Sequence, residues 1–230
     1  MAEALAERWL TVCRQLGDTD DRNNKETAAV LLFQWGVAVM RRGDSTRQCL
    51  TLCTELGHKW IEGNALAGLG QVAQYTSADD ERAKGLFTES LAWFREVGDS
   101  WGIAFGLRNL GLVGLYQNDY EPAAAFLKES LALCKAIRER WLGEECVTGL
   151  AWVSCAGQHY ERAARLFGAA DVARDALGWH PAPSFQAYHE RYVASTRAAL
   201  GDMAFAAARA EGRAMTLEQA IEYALADQPR

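Results

Sequence analysis

The chain has 230 residues, half of them hydrophobic and 23% charged, which excludes the low hydrophobicity and high net charge of a disordered protein. Lysine plus arginine number 24 against 30 for aspartate plus glutamate, a net charge of −6. With no clustered basic stripe, this argues against direct binding to nucleic acid or to an anionic membrane. Only four prolines, with alanine, leucine, glutamate and arginine abundant, favour helix throughout.

The start of the chain, Met1 to Trp9, is amphipathic and charged, unlike the basic start and unbroken apolar stretch of a signal peptide. The longest apolar run, Ala28 to Phe33, is far shorter than the roughly 20 residues of a membrane helix. A cytoplasmic location with no membrane contact is therefore expected. The six cysteines, at 13, 49, 53, 134, 146 and 155, include no CxxC pair and no ligand-spaced histidines. They read as small buried hydrophobes in a reducing compartment. Cys49 and Cys53, one helical turn apart, carry the alternative of a thiol switch.

An internal repeat organises the chain. Trp60, Trp101 and Trp141 recur about every 40 residues, and the pairs Leu69-Gly70, Leu110-Gly111 and Leu150-Ala151 keep the same spacing. Gly17 precedes Gly57 by the same interval, carrying the period back towards the start. The second halves repeat as well: Ala83 with Leu86-Phe87 and Leu91, Ala123 with Phe126-Leu127 and Leu131, and Ala163 with Leu166-Phe167. Apolar positions recur at steps of three and four, one face of a helix, so each unit reads as a helical hairpin. Breaks are expected at residues 76–80, at 117–119 ahead of Pro122, and at 157–159. Gly70, Gly111 and Ala151, set opposite Ala83, Ala123 and Ala163, are expected to let the paired helices approach closely. A single hairpin cannot bury its own apolar face, so the units are expected to stack.

Leu107, Leu110-Gly111, Asp119-Tyr120, Ala123, Leu127 and Ser130 resemble the tetratricopeptide repeat. The period exceeds the roughly 34 residues usual for that repeat, and the surplus falls in the connection 95–101. Repeats of this length resemble those of bacterial signal-transducing NTPases and LuxR-type transcriptional regulators. The resemblance implies an all-α, right-handed superhelix of stacked hairpins. It departs from the pattern in the first unit, which carries a polar insert at 18–25 and a short second helix.

After Leu177 the pattern changes: 178–183 reads as a loop because two prolines do not both fit inside a helix. Three helices follow, at 184–200, 202–211 and 216–226, and Thr216 with Gln219 forms a capping-box start for the last. Residues 1–178 therefore form the repeats, and 179–230 a divergent terminal hairpin with a capping helix in the same solenoid. The run Ala208-Arg-Ala-Glu-Gly212-Arg-Ala-Met-Thr216, with Tyr223-Ala-Leu225, resembles the closing segment of the repeat region in LuxR-type regulators and cyclase-associated ATPases. Neither a phosphate-binding Gly-x-x-x-x-Gly-Lys-Ser/Thr loop nor a helix-turn-helix stands in the chain. The resemblance thus implies a sensor or effector module separate from motor and output domains.

No catalytic signature is found in the sequence. His58, His159, His180 and His189 are scattered, there is no nucleophile elbow, and Asp79-Asp80-Glu81 lies where acids favour a helix start. A non-enzymatic binding module without cofactor or metal is expected. In the tetratricopeptide family the first helix of each pair lines a concave groove. The resemblance assigns to that groove Phe33; Asn64, Gln71, Gln74 and Tyr75; Phe105, Arg108 and Tyr116; Glu145, Thr148 and Trp152; and Tyr188 and Arg191. Aromatics mixed with amides and charges suit a peptide, a protein segment or a small polar effector. Trp60, Trp101 and Trp141 read instead as structural plugs at helix starts. The alternative is a stand-alone adaptor that scaffolds two partners, which an initial Met1 and a closing cap would permit. Phe33, Trp35 and Val37 near the N-terminal end predict a homodimer contact there.

Overall fold

A computed structural model describes residues 59–77, 79–178, 181 and 183–226, and all regular structure among them is α-helical. The expectations for Phe33, Trp35, Val37, His58, Cys13, Cys49, Cys53 and the 18–25 insert lie outside these residues. The helices are α1 (Lys59–Ser77), α2 (Asp80–Val97), α3 (Ser100–Tyr116), α4 (Tyr120–Ile137), α5 (Arg140–Ala156), α6 (Tyr160–Leu177), α7 (Pro183–Leu200), α8 (Asp202–Arg213) and α9 (Leu217–Leu225). None of them is long and apolar enough to cross a membrane. The chain forms two compact units, Met1–Gly106 and Leu107–Arg230, with the boundary inside α3.

In the first unit, Gly63 lies beside Phe94 and Gly70 beside Phe87, so α1 and α2 run antiparallel. The Ser90 hydroxyl donates to the Gly63 carbonyl at 2.6 Å across that contact. Phe87 and Phe94 are fully buried. A carboxylate caps α2: Asp79 accepts from the Arg82 amide at 3.1 Å, the role expected of the 79–81 cluster.

In the second unit, Leu127 lies between Gly111 of α3 and Gly149 of α5, and Cys146 of α5 donates to Ser130 of α4 at 3.3 Å. These contacts set α3, α4 and α5 as successive antiparallel neighbours. A Cβ at Gly111 would meet the Leu127 side chain first, at 2.6 Å, and the carbonyl oxygen of Ala123, its expected neighbour, at 3.3 Å; Ala123 also faces Gly114, further along the same helix. Helix α8 packs on α6 through Gly168 and Gly212. Helix α9 lies across α4, α5 and α6, where Arg162 donates to the carbonyls of Ala224 (2.9 Å) and Ala226 (3.2 Å). Its start is the expected capping box: Thr216 accepts from the Gln219 amide, and Gln219 accepts from the Thr216 amide. Helix α7 starts one residue sooner than expected, because Pro183 takes the first helical position, where its missing N–H costs nothing.

The repeat is visible in the backbone caps. Gly98, Arg138 and Gly178, each one repeat from the next, all close their helices in the left-handed conformation, at φ 71°, 57° and 65°. Glycine adopts that conformation freely, whereas a Cβ opposes it. Arg138 stands where its two counterparts carry glycine, and its side chain is exposed. Arg138→Gly is therefore expected to raise stability by about 1 kcal/mol in denaturant unfolding.

Candidate functional site

Helix α5 is the centre of the second unit. Every residue from Leu142 to Trp152 is buried, and the helix packs against α4, α6, α7 and α9. This corrects the expectation of an open groove along it. Glu145, Thr148 and Trp152 share a face as the spacing requires, but that face is covered, and they are 2%, 0% and 0% exposed. Arg108 of α3 is equally enclosed, at 3%.

The buried polar groups form two linked ionic clusters. Arg108 pairs with Glu145, donates to Asn109 Oδ1 at 2.7 Å and lies over the Trp141 ring. Beside it, Glu144 Oε1 accepts from Arg174 Nη2 at 2.6 Å and from the Thr148 hydroxyl at 2.9 Å. Arg174 faces Asp171 at 3.6 Å, and Asp171 is gripped by Arg209 through Nε (3.1 Å) and Nη2 (2.6 Å). The second oxygens of Glu144 and Glu145, and Nε of Arg174, are enclosed without a hydrogen-bond partner. Burial drives the Glu144 carboxyl up to about 7 against the opposing pull of Arg174. Burial also raises Glu145, opposed by Arg108.

Trp152 gathers the aromatic residues of α7. Its ring centroid lies 4.8 Å from Phe185, 5.0 Å from Tyr188 and 5.9 Å from Tyr192. Tyr116 meets Tyr188 edge-on at 4.7 Å, and Arg191 lies over the Tyr188 ring at 4.5 Å. The Tyr188 hydroxyl donates to the Leu115 carbonyl at 2.7 Å, and that of Tyr120 donates to Asn118 at 2.8 Å. Tyr192 touches both phenols, at 3.2 and 3.3 Å. Burial, reinforced by Tyr192, pushes Tyr120 up to about 12.

These two groups meet at a cavity of about 250 Å³ lined by Asp171, Arg174, Pro181, Phe185, Gln186, His189 and Glu190. The indole N–H of Trp152 donates to Nδ1 of His189 at 3.4 Å, which leaves the proton of a neutral imidazole on Nε2, 3.9 Å from Asp171. Burial, aided by Arg174, lowers His189 to about 4, so the ring is neutral near pH 7. At the rim, Gln186 donates to Glu190 at 3.0 Å, and both are exposed. The cavity thus offers a fixed imidazole N–H, a guanidinium held from behind and acceptor groups at its mouth. Asp171 is held by Arg209, and His189 Nδ1 is already engaged. Among the described residues no group of three or more histidine, cysteine or acidic side chains is placed to hold a metal.

In the first unit, Asn64 is 8% exposed and donates to the Trp60 carbonyl at 2.8 Å; Gln74, 7% exposed, buries both amide atoms without a hydrogen-bond partner. Gln71 is half-buried, and Phe105 is buried under Trp101, stacked at 5.1 Å. The side chain of Tyr75 lies outside the described residues. Trp60 and Trp101 are not the enclosed plugs expected of them, being 42% and 38% exposed. The Trp60 indole nevertheless donates to Asp99 at 2.8 Å. Asp99 in turn caps α3 by accepting from the amides of Trp101 and Gly102.

The structure therefore brings Arg108 to Glu145, and sets Thr148 behind Arg174 and Trp152 behind His189, two residues lining a cavity that the expected groove residues do not line. Asp171, Arg174 and Gln186 carried no motif. The available signal was the one-turn spacing of Phe185 and His189, which places them on one face of α7. No protein-family model matches the chain, and no curated protein matches it.

Proposed function

We propose that this chain is a non-enzymatic, tetratricopeptide-like binding module, the sensor or effector-binding region of a bacterial transcriptional regulator. Its effector site in this reading is the cavity between Arg174 and His189, which takes a small polar ligand or one polar side chain of a peptide. The observation that carries this reading is the support behind those two residues. Trp152 fixes the imidazole, and Glu144 with Thr148 fixes the guanidinium, all from an enclosed helix. Preorganised polar groups around a small hollow are what a specific ligand site requires. The regular spacing of the left-handed caps supports the solenoid part of the proposal. A right-handed superhelix, cytoplasmic location and membership of a LuxR-type regulator belong to the same proposal. The exposed Trp60 and Trp101 favour a second reading, an adaptor that docks a protein partner on its first unit.

A thermal-shift screen against metabolites, nucleotides and short peptides tests the first reading. A ligand at 100 times its dissociation constant stabilises the fold by about 2.7 kcal/mol. The double variant Gln186→Ala, Glu190→Gln, altered only at exposed rim positions, is expected to fold normally and lose the response. An unchanged response in that variant would place the ligand elsewhere, and silence across the screen would favour the adaptor.

A further inference from the structure

We propose that a second hollow, between α7 and α8, binds a small ligand through an oxyanion, either phosphate or carboxylate. It has a volume of about 440 Å³ and is lined by Arg197, Asp202, Phe205, Arg209 and Arg213, the two remaining lining residues being alanines. Three guanidinium groups face one carboxylate there, in a chain whose net charge is −6.

The local charges are only partly balanced. Arg197 is taken up by Asp202, and Arg209 by Asp171, which lies outside the hollow. Arg213 is exposed and makes no ion pair among the described residues. Arg209 and Arg213 are one turn apart on one helix, so their guanidinium groups share a face. An anion there supplies the countercharge that Arg213 lacks, and a guanidinium fork matches the paired oxygens of a carboxylate or phosphate. Arg209 is fixed in place: Asp171 holds its Nε and Nη2 through two hydrogen bonds, and its guanidinium lies 5.9 Å from the Phe205 ring. The volume is that of a small-molecule site. The proposal does not depend on the effector reading of the His189 cavity, because that cavity is lined by neither Arg197 nor Arg213.

Titrating the whole chain with inorganic phosphate and, separately, with succinate, each against sodium chloride of equal ionic strength, tests the proposal by thermal shift. At least one probe is expected to give a saturable rise in melting temperature. A response to phosphate alone assigns a phosphorylated ligand, and one to succinate alone a carboxylate. Arg213→Gln and Arg197→Gln are each expected to weaken the response about tenfold, the worth of a charge-assisted hydrogen bond. Arg82→Gln, on α2, is expected to leave it unchanged. If neither probe exceeds chloride, or if Arg82→Gln weakens the response as much as Arg213→Gln, the site does not exist.

Discussion

Alanine at Gly212 is expected to cost about 4 kcal/mol or more, enough to unfold the second unit at moderate temperature. A Cβ there would lie 1.8 Å from the Arg165 carbonyl oxygen and 2.7 Å from its carbon. The reciprocal change, Gly168→Ala, meets the Arg209 carbonyl oxygen at 2.1 Å and the Arg213 nitrogen at 3.0 Å. Both obstructions are backbone, so no side-chain rotation relieves them, and α6 and α8 must move apart. The crossing is one contact, so the double variant should cost much less than the sum of the two single ones. Gly85→Ala makes the control: it lies on the exposed face of α2, and a Cβ there meets nothing within 4 Å. That change should stabilise by about 0.5–1 kcal/mol. Urea unfolding of the four variants checks the set; a Gly212→Ala protein as stable as wild type would contradict the α6–α8 packing.

Replacing Glu144 and His189 one at a time is expected to tilt the pH dependence of stability in opposite directions. The Glu144 carboxyl is raised to about 7 from an ordinary 4.5, so the folded protein binds the proton more tightly than the unfolded chain. Its contribution is present below pH 4.5 and is lost as pH rises to 7. Burial raises Glu145 in the same sense. His189 is lowered to about 4 from 6.5, so here the unfolded chain binds the proton more tightly. Its contribution is present above pH 6.5 and is lost as pH falls towards 4. Between pH 4.5 and 6.5 the two oppose each other, which flattens the wild-type profile. Glu144→Gln leaves the histidine contribution unopposed. That variant should weaken towards acid, relative to wild type, by on the order of 2 kcal/mol between about pH 7 and pH 5. His189→Gln should weaken by a similar amount towards neutral pH. Parallel profiles for the two variants would mean that the groups do not titrate in the folded protein as their burial requires.

Much of the fold is legible in the sequence because caps and turns are local. Asp79 ahead of an amphipathic run, Thr216 with Gln219, and Gly98 and Gly178 two repeats apart each declare a helix end through chemistry close by in the chain. What the sequence hides depends on distance along the chain. Gly168 sits in an alanine-rich helix and looks incidental; only the approach of α8, far along the chain at Gly212, makes it indispensable. The candidate site divides the same way. Glu145, Thr148 and Trp152 could be placed on one face by spacing alone. That Phe185, Tyr188 and Tyr192 cover part of that face is a tertiary fact with no local signal. His189 looked like an isolated histidine because its partners, Trp152 and Asp171, belong to other helices.

The most direct test of the binding proposal is the indole N–H of Trp152 in a nitrogen–proton spectrum of the labelled chain. The eight tryptophans give eight indole signals, and Trp152→Phe identifies the one that reports on His189. Titrating the hit from the thermal-shift screen should move the Trp152 signal in a saturable way while that of Trp60, in the first unit, stays in place. A hit that moves Trp60 and leaves Trp152 unchanged would contradict an effector site at His189.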